Sequence, residues 1–335
     1  MAEIITTENL TKVYRAGIKA VDGVSFAVRE GEIFGFLGPN GAGKSTTIAM
    51  LITLLRPTAG EARVAGYDLH RAAEKVRKSI GYVSQDIAVD DTLTGRENLF
   101  LQGHFYHLPL AEIRRRTQEV LAMVDLADRA DDLVQSYSGG MRKRLDIAEG
   151  LLHRPRVLFL DEPTLGLDIQ TRRRIWDYVE RLRREEGITI FLTTHYMEEA
   201  DSLCDRVAII DHGRIVALGT PEELKQRIGG DLITLTLADG RKLEVLRQWL
   251  GGLSEVKGIT QGENDTFNLV VSQGEVAIPK VMATLAQAGA VVKSLALKRP
   301  SLDDVFIHYT GRELRENEGA EAYRRTTIAL RRARH

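Results

Sequence analysis

The sequence holds little that could form a disulfide or cross a membrane. Cys204 is its single cysteine, which excludes an intramolecular disulfide and a thiolate metal cluster and suits a reducing compartment. It reads as a small packed side chain. No stretch approaches the roughly 20 consecutive apolar residues of a membrane helix. The N-terminus runs from Met-Ala-Glu into a strand-like segment, not into a basic and then apolar leader. The expectation is a cytoplasmic protein with no anchor of its own. Net charge is nearly absent too: 46 Lys and Arg against 47 Asp and Glu leave −1. No global field draws in nucleic acid or an anionic membrane, so partner choice falls to local sites. What is present is ordinary globular material, 43% hydrophobic and 28% charged over 335 residues, enough for two domains of which one is large.

Up to about Gly219, short β-branched runs alternate with longer helical patterns, which predicts a parallel sheet covered by helices. Near-continuous apolar runs at 32–37, 157–161 and 189–194 have the character of strands buried on both faces. Helical spacing covers 96–107 and 110–124, broken at Pro109, and 206–218 reads as a hairpin turning at Asp211-His212-Gly213-Arg214. Thr220-Pro221-Glu222-Glu223 then has the form of a helix start, and Gly229-Gly230 ends that segment. The expected division is a large domain over 1–225, a small α+β domain over 226–310 and a charged tail over 311–335. In the small domain, strands at 232–237, 256–261, 267–271 and 291–297 and helices at 243–250 and 278–288 follow the βαββαβ order of ferredoxin-like domains.

Two motifs carry chemistry by themselves. Gly38-Pro39-Asn40-Gly41-Ala42-Gly43-Lys44-Ser45-Thr46 follows the strand-like run 32–37 and opens a helical one, the setting of a phosphate-binding P-loop. Its glycines let successive N–H groups face a phosphate, and the helix start adds a favourable dipole. Lys44 would reach the β- and γ-phosphates, and Ser45 would offer a hydroxyl to Mg²⁺. Downstream, Val157-Leu158-Phe159-Leu160-Asp161-Glu162 is the Walker B pattern. Asp161 would hold Mg²⁺, and Glu162 would polarise the attacking water as general base.

Between them, Tyr137-Ser138-Gly139-Gly140-Met141-Arg142-Lys143-Arg144 closely resembles the signature of ATP-binding cassette (ABC) proteins. Gln85 resembles the Q-loop glutamine, His195 the H-loop histidine, Tyr14 the adenine-stacking aromatic of the A-loop, and Leu165-Gly166-Leu167-Asp168 the D-loop. In this order the elements cover about residues 4 to 220. The resemblance implies an α/β cassette with a RecA-like core, an antiparallel β subdomain and a helical subdomain, using ATP and Mg²⁺. Ser138 with the N–H groups of Gly139 and Gly140 forms a helix-start phosphate clamp. By resemblance this clamp, with Met141, reaches a nucleotide held by an opposing cassette, most simply a second copy. His195 would contact the γ-phosphate, and Gln85 would sense Mg²⁺ and the attacking water. Separately encoded integral permeases are the implied partners, which places the chain on the cytoplasmic face of the membrane, and no nucleic acid is expected. Met141 stands where Gln is usual and Leu165 where Ser is common; neither departure falls on Lys44, Asp161 or Glu162, so hydrolysis is expected to survive.

The Met-containing signature, its arginine-rich continuation, Leu302-Asp303-Asp304-Val305-Phe306 and Thr310-Gly311-Arg312-Glu313 resemble the daunorubicin-resistance type of ABC ATPase. That branch implies export of a drug, polyketide or lipid. The competing readings are a non-transport ABC ATPase, a binding module that uses ATP as a clamp without turnover, against which Glu162 and His195 speak, and the ATPase of an importer with 231–300 as a ligand sensor. Against the first stand a Walker A to Walker B distance too short for a long coiled coil, a lone cysteine and a single P-loop. Leu302, Val305 and Phe306 share a helix face, expected to pack on a cassette or its twin, the alternative being a capped surface helix whose apolar residues simply pack on the small domain.

Overall fold

A computed structural model describes residues 2–15, 17–238, 243–261 and 266–310; the charged tail, with Gly311-Arg312-Glu313, lies outside the described residues. They divide into two compact units, one ending at Leu218 and the other starting at Gly219. The first carries, in chain order, β1 (Glu3–Val13), β2 (Lys19–Arg29), β3 (Ile33–Leu37), α1 (Lys44–Leu51), β4 (Ala59–Val64), β5 (Tyr67–Asp68), α2 (Ala73–Ser79), β6 (Ile80–Val83), α3 (Gly95–Phe105), α4 (Leu110–Met123), α5 (Gly139–Leu151), β7 (Val157–Asp161), α6 (Ile169–Glu186), β8 (Thr189–Thr194), α7 (Met197–Leu203), β9 (Arg206–Asp211) and β10 (Arg214–Gly219).

The core sheet has the order β10-β9-β3-β8-β7-β6. Its central strands β3, β7 and β8 are buried at every residue, as the unbroken apolar runs require. Pairing is parallel from β9 through β6. A separate antiparallel sheet, β2-β1-β4-β5, lies beside it, and the helical segment α3 to α5 is inserted between β6 and β7. The two sheets meet through aromatic rings. Phe26 of the antiparallel sheet joins Phe34, Phe36 and Phe159 around Phe191, with ring centroids 5.4–6.0 Å from that of Phe191. The predicted 206–218 hairpin is β9–β10. It turns at His212 (φ 46°) and Gly213 (φ 78°), both in the left-handed region that a two-residue hairpin turn demands.

The second unit contains α8 (Pro221–Arg227), β11 (Asp231–Leu237), α9 (Leu243–Leu250), β12 (Val256–Gln261), β13 (Thr266–Val271), α10 (Gly274–Gln287), β14 (Val292–Lys298) and α11 (Leu302–Thr310). Its sheet is antiparallel in the order β12-β13-β11-β14, which is the βαββαβ arrangement of a ferredoxin-like domain. Alternating inward residues Ile233, Leu235, Phe267 and Leu269 meet Leu246 and Leu250 of α9 and Val281 and Leu285 of α10 in one core. The helix expected from 278 begins instead at Gly274, with Pro279 inside it. The Asp231 carboxylate accepts the Gly274 N–H at 2.6 Å, so a side chain remote in sequence caps this helix and lets it start a turn before the proline.

Leu302, Val305 and Phe306 do share a face, as the i, i+3, i+4 spacing predicts. They are buried at 1%, 0% and 1% exposure, and α11 packs on α8 of the same unit. That face is filled within its own chain, so it is not the surface for a twin that the spacing alone suggested. Replacing Val305 and Phe306 together by Ser is expected to cost the second unit at least about 4 kcal/mol, by lost burial and the holes left behind. Urea denaturation should show this as loss of that unit's transition. An unchanged midpoint would mean α11 contributes nothing to its core.

Candidate active site

The register of the core sheet sets Leu37 of β3 opposite Thr194 of β8, and Asp161 of β7 opposite Thr193. The carboxyl ends of three adjacent parallel strands therefore lie side by side, the edge at which open α/β sheets bind ligands. The Gly38–Gly43 loop leaves β3 there, Glu162 follows β7 and His195 follows β8.

The loop is held from behind by backbone contacts. Gly38 N–H bonds Thr194 O at 3.1 Å, and Gly213 N–H of the hairpin turn bonds Ala42 O at 2.9 Å. Two glycines are required by these approaches: a Cβ on Gly38 would lie 2.2 Å from Ile210 O, and one on Gly43 (φ +109°) would lie 2.4 Å from Ala20 O. Pro39 is half-buried, Ala42 and Thr46 are buried, and Asn40, Gly41 and Ser45 are exposed, so the loop keeps an open side. Gly43 is the N-cap of α1 and supplies no side-chain acceptor to its first turn. A helix start of this kind offers N–H donors to an anion.

Lys44 is 4% exposed. Its Nζ donates to Gly38 O at 2.8 Å and Pro39 O at 3.1 Å, and it pairs with Glu162 Oε1 at 3.0 Å. The other oxygen of Glu162 lies 3.1 Å from His195 Nδ1. Burial raises the Glu162 pKa, but the His195 hydrogen bond and the Lys44 charge outweigh it and bring the carboxyl down to about 2. Glu162 also sits at φ 47°, a left-handed conformation that costs a side-chain-bearing residue about 1–3 kcal/mol. Its N–H, bonded to Thr193 O at 3.1 Å, helps to hold it there.

Beside this pair, Ser45 Oγ lies 3.4 Å from Asp161 Oδ1, and Thr193 Oγ1 donates to the same oxygen at 2.6 Å. Burial pushes the Asp161 carboxyl up from its ordinary value against that hydrogen bond. A carboxylate and a hydroxyl that meet at an exposed helix start are the hard oxygen donors a Mg²⁺ ion takes, so the residues fit a nucleotide with its metal. Thr193, which the motif reading did not single out, is the residue that bonds this carboxyl; its only signal was its place two positions before His195.

The remaining candidates are placed around this cluster. Tyr14 follows β1 on the turn into β2, with Lys12 Nζ 5.7 Å from its ring centroid. Ser138 is the N-cap of α5 and accepts from Met141 N–H at 3.3 Å. Gly139 is exposed and Gly140 half-buried, and a Cβ on Gly140 would lie 2.7 Å from Thr171. The contacts among Lys44, Asp161, Glu162 and His195 include none of these residues, nor Gln85.

Gln85 is nonetheless bracketed. Lys143 Nζ donates to Ser84 O at 2.7 Å and pairs with Asp146 at 3.2 Å. Burial raises the Asp146 pKa, opposed first by the Lys143 charge and last by the Ala88 backbone. Both charged residues lie on α5, one and two turns past Ser138. The opposite charges at i and i+3 on a buried helix face were the available signal.

The chain matches the ABC transporter family over residues 21–165, and the family of C-terminal domains of DrrA1-3-like ATP-binding proteins over residues 219–310. It is 43% identical over 317 residues to a daunorubicin resistance ATP-binding protein of Streptomyces coeruleorubidus, covering 94% of this chain and 98% of the relative. It is 39% identical over 315 residues to the linearmycin resistance ATP-binding protein of Bacillus subtilis, covering 93% of this chain and 100% of the relative. A dimeric bacterial ABC transporter cassette superposes with a TM-score of 0.58 at 30% identity, over 64% of this chain and 98% of that one.

The Lys44–Glu162–His195 geometry predicts how the base titrates. With Lys44→Met the burial penalty remains and one of the two opposing groups is gone, so the Glu162 pKa should rise clearly from about 2. NMR titration of ¹³C-labelled glutamate in the nucleotide-free protein reads this directly. The sign for stability follows: a depressed carboxyl stabilises the fold in full above its ordinary pKa of 4.5, and this is lost as pH falls toward 2. Lys44→Met should therefore flatten the acid limb of the stability curve, and an unshifted Glu162 would separate the two charges.

Proposed function

The chain belongs to the ATP-binding subunits of ABC transporters, in the daunorubicin-resistance branch, and from that membership we propose that it takes ATP with Mg²⁺ and powers export of a hydrophobic drug, polyketide or lipid. It is an ATPase that pairs with a second cassette and works through separate membrane permeases. Among the described residues no helix is long and apolar enough to cross a membrane. The proposed place of work is the cytoplasmic face, against the permease. The cargo proposal draws on relatives named for resistance to daunorubicin and linearmycin.

The observation that carries the hydrolytic reading is Glu162 held between Lys44 and His195. In that arrangement the carboxylate is ionised but a weak base, because two groups stabilise its charge. A phosphate in the Gly38–Gly43 loop competes for the Lys44 ammonium. Glu162, relieved of that partner, becomes more basic toward a water while His195 keeps it oriented. Ser45 and Asp161 would hold Mg²⁺, which when bound supplies charge neutralisation across the phosphates. Tyr14 would stack on the base, and Gln85 would face the metal and the water. Ser138, Gly139, Gly140 and Met141 would act on the nucleotide of the opposing cassette, a role in keeping with Ser138 and Gly139 lying exposed at the start of α5.

Glu162→Gln is expected to keep ATP binding and lose turnover by about 10²- to 10⁴-fold, with ATP-loaded protein accumulating as dimers. Hydrolysis at the unmodified rate would remove Glu162 as the base. Mixing a Ser138→Arg subunit with a Lys44→Ala subunit should restore activity that neither has alone, since one of the two sites in the mixed dimer is intact. A mixture no more active than its separate components would refute sites shared between subunits.

A further inference from the structure

Six contacts form a closed circuit around the proposed base. The loop after β7 turns back on itself, Leu165 N–H bonding Glu162 O at 3.1 Å and Leu167 N–H bonding Thr164 O at 3.2 Å. From the first turn of α6, Arg172 Nε donates to Leu167 O at 2.9 Å. The carbon of the same guanidinium lies over the Tyr196 ring, 3.8 Å from its centroid. Tyr196 packs against the neighbouring His195 ring at 4.1 Å between centroids, and His195 returns to the Glu162 carboxylate at 3.1 Å.

This arrangement is anchored by a buried acid. Glu199, 0% exposed, accepts on one oxygen from Thr164 Oγ1 at 2.8 Å and Trp176 Nε1 at 2.9 Å. Trp176 is one turn beyond Arg172 on α6, and the Arg172 charge acts on the Glu199 carboxyl. The start of α6, the loop after β7 and the segment after β8 are thereby fixed to one another. The solvent side of the loop stays open: Leu165 is 38% exposed and Ile169 65%.

We propose that Arg172 and Tyr196 are positioning residues for hydrolysis: the guanidinium stacked on Tyr196 and bonded to Leu167 O holds the His195 ring against Glu162 and ties its orientation to the exposed loop 165–168. The inference rests on Glu162 as base and His195 as its orienting partner. Arginine is specific to this task, because one planar group must offer an edge N–H to a carbonyl and a face to a ring, which an ammonium cannot do. Tyr196 contributes its face; the proposal assigns nothing to its hydroxyl. A partner cassette pressing on Leu165 or Ile169 would thus move an imidazole it does not touch.

The test is steady-state ATP hydrolysis by the full-length chain carrying Tyr196→Leu, Arg172→Met, both, or Tyr196→Phe. Tyr196→Leu and Arg172→Met should each lower kcat about tenfold or more with KM for ATP within about twofold, because orientation is lost and binding is not. The double variant should fall no further than the slower single one, since both break one path. Tyr196→Phe, which keeps the ring face, should stay within about twofold of the parent in kcat. A Tyr196→Phe protein as slow as Tyr196→Leu, losses that multiply in the double variant, or KM rising in step with the fall in kcat would each overturn the proposal. Should Tyr196→Leu fail to fold, Arg172→Lys carries the same test, with slowed kcat at unchanged KM expected and a parental rate overturning it. Glu162→Gln assayed alongside separates the two readings. Turnover by that variant removes the base and this inference with it, whereas an inactive Glu162→Gln beside a fully active Tyr196→Leu removes the positioning role alone.

Discussion

Lys44 and Glu162 are each less than a tenth exposed, and removing an ammonium and a carboxylate from water costs several kcal/mol per ion unless each finds partners. Much of the first unit serves that requirement. Lys44 is satisfied by two loop carbonyls and one oxygen of Glu162, and Glu162 by Lys44 and His195. A phosphate that takes Lys44 from Glu162 keeps the buried ammonium paired but leaves the carboxylate with His195 alone, so the exchange that seats the anion also raises the basicity of Glu162.

Holding these groups within hydrogen-bond distance needs a scaffold that does not yield. Three parallel strands buried at every residue place the loop, Glu162 and His195 at one edge. The Phe191 ring cluster fixes that sheet to the antiparallel one. The same antiparallel sheet provides Ala20, whose carbonyl excludes a side chain at Gly43. Packing far from the chemistry thus sets the backbone path of the phosphate loop, as close-packed interiors transmit small displacements.

Local pattern made much of this legible. The unbroken apolar runs marked the three central strands, and P-loop spacing with two acids at a strand end marked the hydrolytic edge. The order of elements in the second unit gave its topology. What escaped depends on partners distant in the chain. The start of α10 moved because Asp231, some forty positions earlier, caps it. The apolar face of α11 looked like a docking surface because nothing in its spacing says that α8 covers it. Thr193 was hidden because its hydroxyl serves a carboxylate 32 positions away. Arg172 and Tyr196 were hidden because a guanidinium stacked on a ring leaves no motif.

The bracket that Lys143 and Asp146 place on the Gln85 segment has a mechanical consequence. The start of that segment, Ser84 O, is bonded by Lys143, and its end, Ala88, bears on the Asp146 carboxyl, both on a single turn of α5, whose first turn is capped by Ser138. The strap carrying Gln85 and the tip of α5 behave as one crank with two pins. A displacement of the strap would be passed to the tip of α5, and a displacement of that tip to the strap, because the same helix holds both.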